Sequence, residues 1–330
     1  MNKEDSSLKQ YLIDEFVEDY SEGRMSRREA LTKLGYLTGS FVIANSLLAA
    51  CAPPATPAAT AAPTPGAPTP APTLVPPTTA SQPTASAPPT AAGLQVSAND
   101  PAIEANAAQF PGGGATLMGY LARPKGDGPF PIVLVCHENR GLTDHIRDVA
   151  RRVAKAGYVG LAVDLLSRQG GTDKVDPNQV PGALGNASPE QMVQDFQSGL
   201  AYSKSLKYAR ADRAGMVGFC FGGGITWRCA EGIAELRAAV PYYGPNPPIE
   251  DVPKINAAVL GIYGALDARI DAGIPAIEEA MKKANKTFDK VIYPNANHAF
   301  NNDTGGSYNA QAALEAWAKT LAWFEKYLKS

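Results

Sequence analysis

Gly218-Phe219-Cys220-Phe221-Gly222-Gly223-Gly224 is the stretch that decides the fold. It follows the apolar run Ala214-Gly215-Met216-Val217 and precedes Ile225-Thr226-Trp227, which can open a helix. A strand that turns sharply into a helix, with small residues on both sides of one nucleophile, is a nucleophile elbow. The apex residue is held in a strained backbone conformation, and a Cβ two positions before or after it would collide with neighbouring backbone. The helix that follows brings N-terminal N–H groups and a dipole that favour a thiolate. Taken alone, the pattern fits a buried cysteine in a glycine-rich connection as well as it fits a nucleophile.

The surrounding pattern is strand–helix alternation from about residue 96 onward. Residues 102–110 and 115–123 flank Pro111-Gly112-Gly113-Gly114 and read as an antiparallel hairpin. The continuous apolar run at 132–136 reads as a strand buried on both faces, and 158–163, 215–219, 238–243, 257–263 and 288–293 read as further strands. Thr143 can cap a helix that Gly157 stops, and Ser188-Pro189-Glu190-Gln191 opens another as a capping box. Further helices are expected at about 275–284 and 306–328, and residues 165–187 read as a long irregular loop. This order calls for an α/β fold: a mainly parallel sheet covered by helices on both faces, with an N-terminal hairpin.

In such a sheet reactive groups gather at the carboxyl ends of strands. A cysteine nucleophile needs a base, and the base an orienting carboxylate. The chain has three histidines. His145 falls in the first turn of an amphipathic helix and reads as a surface residue, and His137 lies upstream of the nucleophile. His298 directly follows the last strand. Asp267 follows the strand before it, with Asp271 as the fallback farther into the loop. The order Cys220…Asp267…His298 is that of the α/β-hydrolases. His137-Glu138-Asn139-Arg140 begins like a zinc motif, but Gly141 stands at the closing position, so neither metal nor cofactor is expected.

The first hundred residues are of another kind. Between Leu34 and Asn99 there is no Asp, Glu, Lys or Arg. Arg27-Arg28, an apolar run over 34–50 and Leu48-Ala49-Ala50-Cys51 read as a leader: residues 1–50 are a signal peptide similar to the twin-arginine type, and Cys51 is a lipobox cysteine. A plain membrane anchor with a coincidental cysteine is the alternative. The acidic, helix-prone residues before Ser26 carry no assigned role beyond an extended leader. Residues 52–93 hold 13 prolines among Ala, Thr and Ser and read as a stiff tether, so that 51–95 links the lipid to a catalytic domain at 96–330. The chain without residues 1–50 is formally neutral, which points away from nucleic acid and leaves the lipid as the membrane contact, on the outer side of the cytoplasmic membrane. Cys136 and Cys229 sit in apolar runs and read as free buried thiols, with a disulfide between them as the other option.

Four segments carry a resemblance: Val135-Cys136-His137-Glu138-Asn139-Arg140-Gly141, Asp164-Leu165-Leu166-Ser167-Arg168, Gly218-Phe219-Cys220-Phe221-Gly222-Gly223 and Asn297-His298-Ala299-Phe300. From about residue 100 to the C-terminus the chain resembles the dienelactone hydrolase (carboxymethylenebutenolidase) family. The resemblance implies an α/β-hydrolase that opens a small ester or lactone through Cys220, His298 and Asp267. It implies that Glu138 associates with the resting thiol, that the backbone N–H groups of Phe221 and Asn139 form an oxyanion hole, and that Arg168 binds a substrate carboxylate. The family's second such arginine is absent, because Asn301-Asn302 stands in its place. A broad thiol-dependent esterase or thioesterase, and a ligand-binding lipoprotein without catalysis, are the alternative readings.

Overall fold

Ile132-Val133-Leu134-Val135 lies at the centre of the sheet, where β-branched and leucine side chains pack on both faces of a strand. A computed structural model describes residues 5–50 and 94–330. Its eight strands are β1 (Ile103–Gly112), β2 (Ala115–Pro124), β3 (Phe130–Cys136), β4 (Val159–Asp164), β5 (Ala209–Phe219), β6 (Leu236–Tyr242), β7 (Ala258–Gly264) and β8 (Phe288–Tyr293). They form one sheet in the order β1-β2-β4-β3-β5-β6-β7-β8. The expected hairpin is present as β1/β2, and β2 also runs antiparallel to β4; all other neighbours are parallel. Every residue of β4 and β7 is buried, whereas the edge strand β8 is mostly half-exposed.

Helix α4 (Asp144–Lys155) lies against β2, β3 and β4, and α10 (Ala310–Phe324) against β6 and β7. Helices α6 (Pro189–Lys204) and α7 (Phe221–Gly232) pack together on the sheet over β3 and β5. Caps set several of the boundaries. Ser188 Oγ accepts from Gln191 N at 3.1 Å, and Asn309 Oδ1 accepts from Ala312 N at 3.1 Å. The Asn309 cap starts the last helix at Ala310, later than the expected 306. Thr143 is an N-cap by position only, with no side-chain bond. The stretch expected as an irregular loop, 165–187, carries two short 3₁₀ turns and helix α5 (Val180–Gly185). Between β7 and β8 lie α8 (Ala268–Asp271) and α9 (Ile274–Lys283).

Residues 5–50 depart most from their sequence reading. They fold into α1 (Asp5–Ser21), α2 (Arg27–Thr38) and α3 (Phe41–Ala50); α1 packs on α5 and α7, α2 on α5, and α3 on α1 and α2. The apolar run over 34–50 breaks at Gly39, whose φ of +72° closes α2 with a left-handed residue. No helix among the described residues is long and apolar enough to cross a membrane. Leu12 and Phe16 of α1 and Leu34 and Leu37 of α2 are buried. Each such side chain is worth at most about 1.5–3 kcal/mol of hydrophobic stabilisation. Glycine suits the close approach of α2 to α5: a Cβ on Gly182 would sit 3.1 Å from the Tyr36 backbone. Cys51 and the tether over 52–93 lie outside the described residues. Cys136, Cys220 and Cys229 are free and buried, so no disulfide joins Cys136 to Cys229.

Candidate active site

The elbow follows from packing that excludes side chains. Cys220 has φ +58° and ψ −121°, a conformation that only the surrounding close contacts can impose on a residue with a Cβ. A Cβ on Gly218 would lie 2.2 Å from the Gly222 carbonyl oxygen, and one on Gly222 would lie 2.4 Å from that of His137. Glycine at both positions lets β5, the turn and the end of β3 close on one another. The thiol then stands at the N-terminus of α7, with its own N–H donating to Tyr242 O at 3.1 Å.

His298 and Asp267 arrive from the two strands beyond. Asp267 follows β7, and its Oδ2 lies 2.6 Å from His298 Nδ1. Oδ1 of the same carboxylate caps α8 by accepting from Ile270 N at 3.3 Å, so the group is fixed from two sides. Asp271 sits a turn later at the end of α8, and the imidazole contact goes to Asp267. The other edge of the ring faces Cys220: Nε2 and the thiol both meet Tyr11 OH, at 3.4 and 3.3 Å, and a ring nitrogen lies within 4.8 Å of Sγ. The structure thus brings Cys220, His298 and Asp267 together.

The residues after β3 are more divided. Phe221 opens α7 next to the thiol, and Asn139 lies in the loop after β3. Glu138 is buried, and its Oε2 accepts from Asn302 Nδ2 at 2.7 Å. Asn302, at the place where a second arginine was expected, therefore holds the glutamate. His137 is a structural residue: Nδ1 meets Glu138 O at 2.7 Å, and Nε2 accepts from Leu165 N at 3.2 Å. Burial lowers its pKa, in keeping with a neutral ring that ties the ends of β3 and β4 together. Arg168 is paired in a fork with the buried carboxylate of Asp195, at 2.6 and 2.8 Å, rather than with any group at the thiol. His145, expected on the surface, is buried and bonded to Asp303 Oδ1 at 2.9 Å, because α4 lays its first turn against the loop beyond His298.

Three residues at the site were missed in the sequence. Glu15 Oε1 lies 3.4 Å from Cys220 Sγ and accepts from Asn139 Nδ2 at 2.9 Å. Tyr11 OH lies 3.3 Å from the same sulfur and 3.4 Å from His298 Nε2. Arg269, two residues beyond Asp267, places its guanidinium 4.7 Å from the centre of the Tyr11 ring and donates to Glu18 Oε2 at 2.8 Å. The one signal available was the spacing Leu8, Leu12, Phe16 beside Tyr11, Glu15, Glu18, an amphipathic pattern that demands a partner surface. Nothing local marks Arg269.

Electrostatics follow from the enclosure. Burial first, and then the Glu15 carboxylate, push the Cys220 thiol up to about 11, with His298 pulling the other way. Burial likewise raises Glu15 above the ordinary carboxyl value, offset in part by His298 and Arg269. Burial opposes a charge on His298, but Cys220 and Asp267 outweigh it and raise the imidazole well above its usual value. Glu15, Cys220 and His298 also set their ligand atoms within 4.8 Å of one another, a donor set of the kind zinc accepts.

Comparison with known proteins gives the family. The sequence profile of the dienelactone hydrolase family matches residues 117–328. The chain belongs to the dienelactone hydrolase family. A carboxymethylenebutenolidase-like protein of Methylorubrum extorquens is 35% identical over 252 residues, covering 72% of this chain and 87% of its own. One from Escherichia coli K12 is 35% identical over 246 residues, covering 70% and 90%. The crystal structure of a dienelactone hydrolase-like protein from Klebsiella pneumoniae superimposes with a TM-score of 0.65 at 36% identity, covering 68% of this chain and 100% of that one. The protein is therefore an ester-hydrolysing enzyme of α/β-hydrolase fold. Helices α1–α3 lie outside the matched region.

Proposed function

We propose that the protein cleaves a small ester or lactone by covalent catalysis at Cys220. Cys220 Sγ attacks the carbonyl carbon, and its proton passes to His298 Nε2 and on to the departing alkoxide as the C–O bond breaks. The N–H groups of Phe221 and Asn139 receive the oxyanion in each tetrahedral state. Water then attacks the thioester, His298 takes its proton, and the C–S bond breaks to return the thiol. Asp267 holds the ring with Nδ1 protonated and stabilises the imidazolium. The observation that carries this reading is the 2.6 Å Asp267–His298 contact behind an elbow cysteine whose Sγ lies within 4.8 Å of a nitrogen of the same ring.

Glu138, oriented by Asn302, is the reading's candidate for holding the freed thiol in its protonated form between turnovers. Arg168 is spoken for by Asp195, and Arg269 places a guanidinium beside the site, 4.7 Å from the centre of the Tyr11 ring. A single arginine at the mouth supports one carboxylate contact on the substrate rather than a two-point clamp, which favours a wider range of acyl groups, thioesters included, over dienelactone alone. The test of the chemistry is Cys220→Ala with p-nitrophenyl acetate: turnover should vanish, and full turnover in the variant would end the proposal.

We also propose that residues 1–50 are an export leader removed ahead of Cys51, leaving the enzyme as a lipid-anchored protein of the cell envelope. Supporting this, Phe41, Val42 and Ile43 at the start of α3 expose large apolar side chains, up to 77% for Val42, which suits recognition by an apolar partner. Cys51→Ala should leave unprocessed precursor, visible as a slower band after membrane fractionation; normal processing would refute the leader.

A further inference from the structure

Helix α1 presents two stripes to the catalytic domain. Leu8, Leu12 and Phe16 are buried and anchor it. Tyr11, Glu15 and Glu18, spaced at four and three residues, lie on the neighbouring stripe and meet the polar groups of the site one by one. Tyr11 touches the thiol and the free nitrogen of the imidazole, Glu15 takes the thiol and Asn139, and Glu18 takes Arg269. Cys220 is left 3% exposed. A carboxylate beside a thiol offers no leaving group, so Glu15 can occupy the acyl position without being consumed. The reacting residues all come from 220–298 and the family match starts at residue 117, so the chemistry does not need α1 for its completion.

We propose that the mouth of the active site is a binding surface for an acidic amphipathic helix, and that its occupant is residues 5–21 of this chain, which keep the enzyme latent until residues 1–50 are separated from the catalytic domain. The inference rests on the hydrolase reading for its biological meaning, but the docking itself is independent of it. Removal of the leader ahead of Cys51 would release the helix from the reacting groups and free Arg269 for a substrate carboxylate at the same moment.

The experiment uses the full chain with a specific protease sequence replacing residues 52–58, assayed intact and after cutting at high dilution. Two readouts are taken: alkylation of Cys220 by iodoacetamide, mapped by mass spectrometry, and hydrolysis of p-nitrophenyl acetate. Because the apparent rate scales with the open fraction, cutting should raise both by about tenfold or more. A synthetic peptide of residues 5–21 added back should suppress both. Leu12→Asp with Phe16→Asp in the uncut chain, which removes the anchor without touching the reacting groups, should reproduce the increase. If alkylation rises and hydrolysis stays absent, the plug stands and the hydrolase reading falls. If neither rises on cutting, or if hydrolysis drops because α1 completes the site, the proposal is overturned.

Discussion

Replacing Asp267 by Asn tests the geometry of the site without changing its shape. In the wild type Oδ2 stands 2.6 Å from His298 Nδ1 and carries the charge that pairs with an imidazolium. Two unit charges at that separation attract by about 6 kcal/mol at an effective dielectric of about 20. An amide keeps part of this as a dipole, and its NH₂ can turn toward Nδ1 and favour the tautomer with the proton on Nε2, which cannot accept from the thiol. A net loss of about 3–5 kcal/mol in the transition state is reasonable, a drop of about 10²–10⁴-fold in kcat/KM. The Ile270 cap weakens as well, at a cost of about 1 kcal/mol in stability, too little to unfold the domain. The assay is p-nitrophenyl acetate hydrolysis by the chain cut free of residues 1–50, with the thermal transition of the same sample as control. A folded Asp267→Asn enzyme with less than about a tenfold loss would refute the reasoning, because a carboxylate at this distance has no other way to be idle.

Three other outcomes follow from the same contacts. Gly222→Ala forces a Cβ to within 2.4 Å of the His137 carbonyl oxygen; the strain of about 1–3 kcal/mol should lower Tm by about 3–10 °C, and an unchanged Tm would contradict the packing. Asp303 is buried between His145 and Arg152; burial alone would raise its pKa, but these partners hold it well below the ordinary 3.8. Its stabilisation is thus fully present above that value and lost as pH falls through the native one. Asp303→Asn should cost about 2–3 kcal/mol at neutral pH, with the gap to wild type narrowing below about pH 4, and a gap that ignores pH in urea titrations would count against it. Arg168→Ala leaves the Asp195 carboxylate buried and unpaired, so it should lower stability by about 3 kcal/mol and leave the preference between carboxylate-bearing and neutral esters unchanged; a shift in that preference would return Arg168 to substrate recognition.

The sheet was legible because its signals are local. Most of the parallel strands are short apolar runs, and the glycines around Cys220 announce a turn too tight for a Cβ at Gly218 or Gly222. Strand ends were equally readable, which is why Cys220, Asp267 and His298 could be picked from the sequence before they were seen side by side. Loops and partners were not. Asn302 reads as the loss of an arginine until it is seen bonded to Glu138, and Arg168 reads as a free cation until Asp195, 27 residues away, is found beneath it. His145 looked like a surface residue because the acid that buries it, Asp303, lies 158 residues downstream. Residues 5–21 were the largest gap: their helical pattern was visible, but their docking site is assembled from residues more than a hundred positions away, and no local rule reports that distance.

The most direct test of the central claim is to trap the acyl-enzyme. The cut, leader-free protein is mixed with p-nitrophenyl acetate, quenched in acid within the first turnovers and digested for mass spectrometry. The account predicts the mass of one acetyl group on the peptide containing Cys220, with none on those containing Cys136 or Cys229, and its disappearance as the ester is exhausted. Continued ester hydrolysis with Cys220 never acetylated, or with the acetyl group on another residue, would contradict it.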